Sequence, residues 1–207
     1  FFPLAIPFIL CLFVTGHPVR ADEKQEYALR IAAGSGDMKT VVSLLSQNVD
    51  VNSRSPRGYT ALHTAVRGNH VNIAELLIAA AAAINLKDDD GDSPLTLASG
   101  NKNPAMIELL LKSEANVNIR DGNRMTPLIK AAAAGDAATV AIFLQKKVDV
   151  NAVDKYGFSA LMMAVRAGKV DLAADLIQAG ADVNIETPLG QTALKLAKMS
   201  KDPKMIS

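Results

Sequence analysis

The chain has 207 residues, no tryptophan, one cysteine and 4% aromatic residues, and its 22 basic and 21 acidic side chains leave a formal charge of +1. So few aromatics suit thin helical layers better than one thick globular core, and the near-neutral balance provides no electrostatic footprint for nucleic acid or an anionic membrane. A single cysteine excludes an internal disulfide.

From the amino end, residues 1–14 form an apolar run, FFPLAIPFILCLFV, followed by small and polar residues and then by Val19-Arg20-Ala21. Val19 and Ala21 stand at the minus-three and minus-one places of a signal-peptidase site. Residues 1–21 therefore read as a signal peptide lacking its basic n-region, with cleavage leaving Asp22 first. The run is short for a membrane span of about 20 residues, and a longer uncleaved anchor is the alternative. Cys11 leaves with the leader, and Leu10 is too large for a lipobox. The mature chain then carries no thiol, which suits an oxidising, periplasmic or secreted location. Arg20 is the leader's only charge, so the mature chain is neutral.

From Asp22 onward one pattern recurs every 33 residues. Thr60-Ala61-Leu62-His63 is followed by Ser93-Pro94-Leu95-Thr96, Thr126-Pro127-Leu128-Ile129, Ser159-Ala160-Leu161-Met162 and Thr192-Ala193-Leu194-Lys195, and is preceded by Tyr27-Ala28-Leu29-Arg30. A second word, Val51-Asn52, returns at Ile84-Asn85, Val117-Asn118, Val150-Asn151 and Val183-Asn184. A fixed period of this length specifies a stacked array.

The first helix is predicted to start at Asp22, an N-cap with Gln25 three residues on, and to turn Lys24, Gln25 and Arg30 to water. In each later unit the Thr or Ser hydroxyl caps a short helix, and Pro94 and Pro127 occupy its first position, where no amide partner is lost. Leu62, Ala65 and Val66, or Leu128, Ala131 and Ala132, form its single apolar face. A second helix carries the stripe Ile73, Ala74, Leu77 and Ile78, with equivalents through Leu172, Ala173, Leu176 and Ile177. The break between the helices needs positive φ, which Gly36, Gly135 and Gly168 supply and Asn69 tolerates. Lys102 departs from that pattern, and with Gly100 and Asn101 just upstream the helix there is predicted to end early. Gly180 alone keeps the glycine after the second helix. Asn48, Ala81, Glu114 and Lys147 hold the other copies, at roughly 1 kcal/mol each if forced left-handed. A polar turn closes each unit, with Gly58, Gly91, Gly157 and Gly190 at its tip and Arg124 in the fourth copy.

These residues resemble the ankyrin repeat family, whose signature is a T-P-L-H-like start and a closing V-N. The resemblance runs in one register from about Asp22 to the end. It implies an all-α solenoid of helix-turn-helix units, each with a β-hairpin-like finger, here about five repeats plus a truncated sixth over residues 22–207. Lys195, Lys198 and Lys201 give the last unit a charged outer face, as an end cap requires. Met205 and Ile206 align with Leu172 and Ala173, and nothing aligns with Leu176 and Ile177.

No catalytic constellation stands out. The resemblance gives His63 and His70 structural hydrogen-bonding places, and no nucleophile elbow or phosphate loop is present. The run Asp88-Asp89-Asp90-Gly91-Asp92 invites a calcium reading. Placing Gly91 at the sixth position of an EF-hand loop puts Leu86 first and Leu97 twelfth, where oxygen ligands are needed, so the match fails. Asp88 is then the usual finger aspartate, like Asp121 and Asp154, and its neighbours offer an acidic contact to a basic partner. No metal and no cofactor is expected.

The resemblance implies that a partner meets the finger tips and the adjoining ends of the first helices. The second repeat contributes Arg57, Tyr59 and Arg67, and the third Asp89, Asp90, Asp92 and Asn101. The fourth contributes Asn123, Arg124 and Met125, the fifth Lys155, Tyr156, Phe158 and Arg166, and the sixth Leu189 and Gln191. Aromatic and arginine side chains are the usual anchors of an interface. The expected function is an exported, non-catalytic scaffold that binds a protein partner, with no nucleic acid and no membrane contact after cleavage. The alternatives are an accessory domain of a larger enzyme continuing past Ser207 and a toxin-neutralising immunity-type protein.

Overall fold

The computed structural model describes residues 21–200; most of the leader, and the segment holding Met205 and Ile206, lie outside the described residues. Helices come in pairs: α1 (Ala21–Ser35) with α2 (Met38–Ser46), α3 (Ala61–Arg67) with α4 (Val71–Ala79), α5 (Pro94–Ala98) with α6 (Pro104–Lys112), α7 (Pro127–Ala134) with α8 (Ala137–Leu144), α9 (Ala160–Arg166) with α10 (Val170–Gln178), and then α11 (Ala193–Ser200). The odd-numbered helices pack on one another in sequence, and α4, α6, α8 and α10 form a second layer behind them. The array is therefore an all-α solenoid in which each unit buries its apolar face on its neighbours.

The predicted caps form. Thr60, Ser93, Thr126 and Ser159 each accept from the amide three residues on, and Thr60 and Ser93 complete reciprocal capping boxes. Behind the caps runs one ladder of leucines. Leu29, Leu62, Leu95, Leu128 and Leu161 are all buried, each contributing roughly 1.5–3 kcal/mol of burial. Leu194, the next rung, has no following helix pair among the described residues and is 52% exposed. The second-helix stripe narrows to Ile73, Ala74 and Leu77 and their equivalents, while Ile78, Leu111 and Leu144 are half-buried and Ile177 is exposed.

The recurring V-N word has a physical reason that the period alone does not reveal. The carboxamide of Asn52 accepts from the Ala83 amide (2.7 Å) and donates to the Ala81 carbonyl (3.2 Å), closing the end of α4 in the next repeat. Asn85, Asn118 and Asn151 make the same two bonds one, two and three repeats later. Each asparagine thus satisfies backbone groups that a helix end leaves open.

Several expectations need correction. Ala21 is already helical, so Asp22 lies inside the first turn, and Gln25 donates across to Gln47 (2.9 Å). Arg30 does not face water: it is buried, with Nη1 donating to Ser53 Oγ at 2.8 Å. Asn48, Ala81 and Glu114 do take positive φ (57°, 65° and 65°), but Lys147 avoids it, because the Lys146 amide reaches the Phe143 carbonyl and the chain leaves α8 by a different turn. At Lys102 the helix does end early, α5 stopping at Ala98, yet Lys102 also adopts positive φ (52°), which its departure from the glycine pattern did not lead one to expect.

Candidate protein-binding surface

Each finger is a five-residue turn organised by its first side chain. In the third repeat Asp88 Oδ1 accepts from the amides of Asp90 (3.0 Å) and Asp92 (2.8 Å), while the Asp88 amide donates to the Asp92 carbonyl. Asp121 and Asp154 repeat this arrangement, and Ser55 and Thr187 use hydroxyls for the same purpose. The tip residue must take positive φ. Gly58, Gly91, Gly157 and Gly190 do so, and Arg124 does so without glycine's freedom (φ 60°). The closing bonds are hairpin-like, yet no strand forms among the described residues; Val153 and Ser159 make one isolated bridge.

Fingers are tied in series. The Asp89 amide donates to the Arg57 carbonyl, Gly122 to Asp90, and Lys155 to Asn123. The corresponding donor for Tyr156 would be residue 188, which is proline and has no amide hydrogen. Arg54 and Arg120, at equivalent places, add side-chain bonds to the carbonyls of Lys87 (2.9 Å) and Val153 (2.9 Å) in the following repeats. Hydrogen bonds, and not sheet structure, hold the row of tips.

The acidic run is largely engaged inside the molecule. Asp88 is buried as a turn organiser. Asp92 accepts from Lys130 Nζ (2.5 Å) and from Thr96 Oγ1 (2.9 Å), and the same ammonium lies 3.0 Å from Asp121 Oδ2. Asp89 pairs with Arg54 at 3.5 Å. Asp90 remains exposed and without an ion pair among the described residues. Burial opposes the charge on Lys130, but its hydrogen bonds to Asp92 and Asp121 prevail and raise its pKa above the ordinary lysine value. Sequence reading missed this cluster. Its signal is a lysine in the slot that holds Thr64, Leu97, Met163 and Leu196 in the other repeats.

The basic and aromatic candidates divide differently. Arg57, Arg67, Arg124, Lys155 and Arg166 are exposed and have no carboxylate partner among the described residues. Arg67 lies over the Tyr59 ring at 5.0 Å and donates to its hydroxyl at 2.8 Å. Arg166 lies over Phe158 at 4.9 Å, and Lys155 over Tyr156 at 4.9 Å. Phe158 and Met125 are half-buried against the core, whereas Tyr156 is 61% exposed. Leu189 is exposed and Gln191 closes its own finger; Asn101 donates to the Val66 carbonyl (3.1 Å) between repeats.

The two histidines among the described residues bond within the array. His63 is fully buried; its Nδ1 accepts from the Thr60 amide (3.2 Å), and its Nε2 donates to the Asp92 carbonyl (3.2 Å). Desolvation lowers its pKa below the ordinary histidine value, which favours the neutral ring. His70 Nε2 lies 3.2 Å from the Gly34 carbonyl. Among the described residues no group of three or more His, Cys, Asp or Glu side chains is placed to hold a metal ion, and no helix is long and apolar enough to cross a membrane.

A solenoid of paired helices with finger tips in series defines a class of repeat scaffold that presents variable side chains on a constant frame. The family model described as ankyrin repeats (3 copies) matches residues 29–121 and 101–187, most of the chain. The chain belongs to the ankyrin repeat family. It is 34% identical over 65 residues to an ankyrin repeat-containing protein of Schizosaccharomyces pombe, covering 31% of each chain. It is 35% identical over 78 residues to ankyrin repeat domain-containing protein 40 of Mus musculus, covering 37% of this chain and 22% of that one. With mitochondrial disaggregase of Bos taurus it shares 36% identity over 70 residues, 34% of this chain and 10% of that one. The matched stretch thus spans less than a third of each of these relatives.

Proposed function

We propose that this chain is a non-catalytic scaffold that binds a protein partner through its finger tips and the adjoining ends of its odd-numbered helices. The observation that carries the reading is the contrast within the fingers: equivalent hydrogen bonds close every finger base, while the side chains of Arg57, Arg124, Lys155 and Tyr156 are exposed at the tips without a carboxylate partner among the described residues. Ankyrin repeats in general mediate protein–protein contact, which supports it. An exposed tyrosine beside exposed arginines is the composition of an interface anchor.

The location we propose is periplasmic or secreted. Support comes from the apolar leader, Val19 and Ala21 at the cleavage places, and the absence of cysteine after Cys11. Amino-terminal sequencing of the protein recovered from an exporting cell should begin at Asp22; a start within residues 1–20 refutes cleavage. Placement of the array within a longer protein is a second reading, supported by the greater length of the mouse and bovine relatives.

Affinity capture from the native compartment tests the binding reading. The chain should retain a partner that the triple variant Arg57→Ala, Arg124→Ala, Tyr156→Ala loses. Equal retention by both would place the contact away from the tips.

A further inference from the structure

Arg67 and Arg166 occupy the same place in α3 and α9, three repeats apart, and each lies over an aromatic ring of its own finger, Tyr59 at 5.0 Å or Phe158 at 4.9 Å. In the two repeats between them that place is taken by the small, exposed Gly100 and Ala133. The one cation on α5 and α7, Lys130, is already neutralised by Asp92 and Asp121. The stretch thus has one exposed arginine at each end, small residues between them and no acidic side chain on α5 or α7. At the tips above it, Arg57, Arg124 and Lys155 stand unpaired against the single unpaired carboxylate Asp90.

The sign of this surface is the reverse of what the Asp-rich run suggests, because the structure occupies most of those carboxylates internally. An arginine pinned on a ring has lost less freedom to binding than a free one, and its open edge offers paired N–H donors that match a carboxylate. We infer that the surface spanning repeats two to five takes an extended acidic segment of a protein partner, with one carboxylate seated on Arg67 and another on Arg166. The inference rests on the scaffold reading above and names the chemistry of its partner. Packed helices lie about 8–10 Å apart, so three repeat steps separate the arginines by roughly 25–30 Å, and an extended chain of roughly eight residues bridges them.

The test uses the full chain and three labelled ten-residue peptides, read by fluorescence anisotropy at 0.05 and about 0.15 M salt. One peptide has Glu-Glu at both ends of a Gly-Ser spacer, one has both Glu pairs adjacent at a single end, and one has Lys in place of Glu. The spaced Glu peptide should bind at least tenfold more tightly than the other two. Arg67→Gln and Arg166→Gln should each reduce that binding about tenfold, and the double variant should abolish it. Both sites are exposed, and an unchanged circular dichroism melt confirms that the variants fold. Equal binding of the spaced and clustered Glu peptides, unchanged binding by the double variant, or tighter binding of a ten-nucleotide single strand would each overturn the inference. A chain that ignores every acidic peptide, yet still captures a partner through Arg57, Arg124 and Tyr156, would remove the acidic segment and leave the scaffold reading intact.

Discussion

The third and fifth fingers have the same backbone and opposite fates. In both, an aspartate organises the turn and a glycine takes positive φ at the tip. The third finger, of residues 88–92, carries four carboxylates, and three of them are drawn into the fold: Asp88 by backbone amides, Asp89 by Arg54 and Asp92 by Lys130. The fifth, of residues 154–158, carries two aromatics, of which Phe158 packs inward and Tyr156 stays out. Composition therefore overstates the acidity of one finger and understates the exposed cationic and aromatic character of the other. The lesson is that a surface is defined by the groups left unpaired after the neighbouring repeats have taken theirs.

The largest effect should come from removing the cation that holds the third finger. Lys130→Met leaves Asp92 and Asp121 facing each other without a counter-charge, and stability should fall by about 2–3 kcal/mol, toward the lower side of a broken buried pair because the side chains are 18–19% exposed at the Lys130–Asp92 contact. Urea unfolding measures it. A loss below about 0.5 kcal/mol would show that the acids are hydrated and that the two fingers are alike after all.

Within the fifth finger, Phe158→Ala should cost about 1–2 kcal/mol, less than a fully buried ring, and Tyr156→Ala less than about 0.5 kcal/mol. Equal costs in thermal or urea unfolding would erase the distinction between an inward and an outward aromatic. The same contrast between occupied and free positions recurs at the helix ends. Glu114→Gly, at φ 65°, should stabilise by about 0.5–1 kcal/mol, whereas Lys147→Gly, at a place that never enters the left-handed region, should not stabilise at all.

A graded test of the third finger uses pH. His63 donates to the Asp92 carbonyl, and burial lowers its pKa below the unfolded value of 6.5. At pH above 6.5 both states hold the ring neutral, so its contribution is fully present. As pH falls from 6.5 toward the folded pKa, the unfolded chain binds a proton that the folded chain refuses, and stability declines. The decline should be flatter in His63→Gln; an identical pH profile for wild type and variant would assign it to other groups.

Most of the frame was legible in the chain because it is local and periodic. Thr60, Ser93, Thr126 and Ser159 announce helix starts, the leucine ladder announces the buried face, and Gly36, Gly135 and Gly168 announce the breaks, each through interactions within a few residues. The candidate strip was legible as positions and illegible as chemistry. Tyr156 and Arg124 look the same in the sequence as Phe158 and Asp92, and only packing separates the free from the engaged.

The sequence by itself determined the fold class, the repeat register and the caps, since one 33-residue unit states its own helices and repetition states how the units stack. Tertiary structure alone decided which charges remain free. Lys130 meets Asp92 across 38 residues, Arg54 meets Asp89 across the gap between fingers, and Arg30 finds Ser53 in the next repeat. Such pairs depend on where neighbouring repeats come to rest in space, and ion pairs and desolvation fall off over a few ångströms in that space, whatever the separation along the chain.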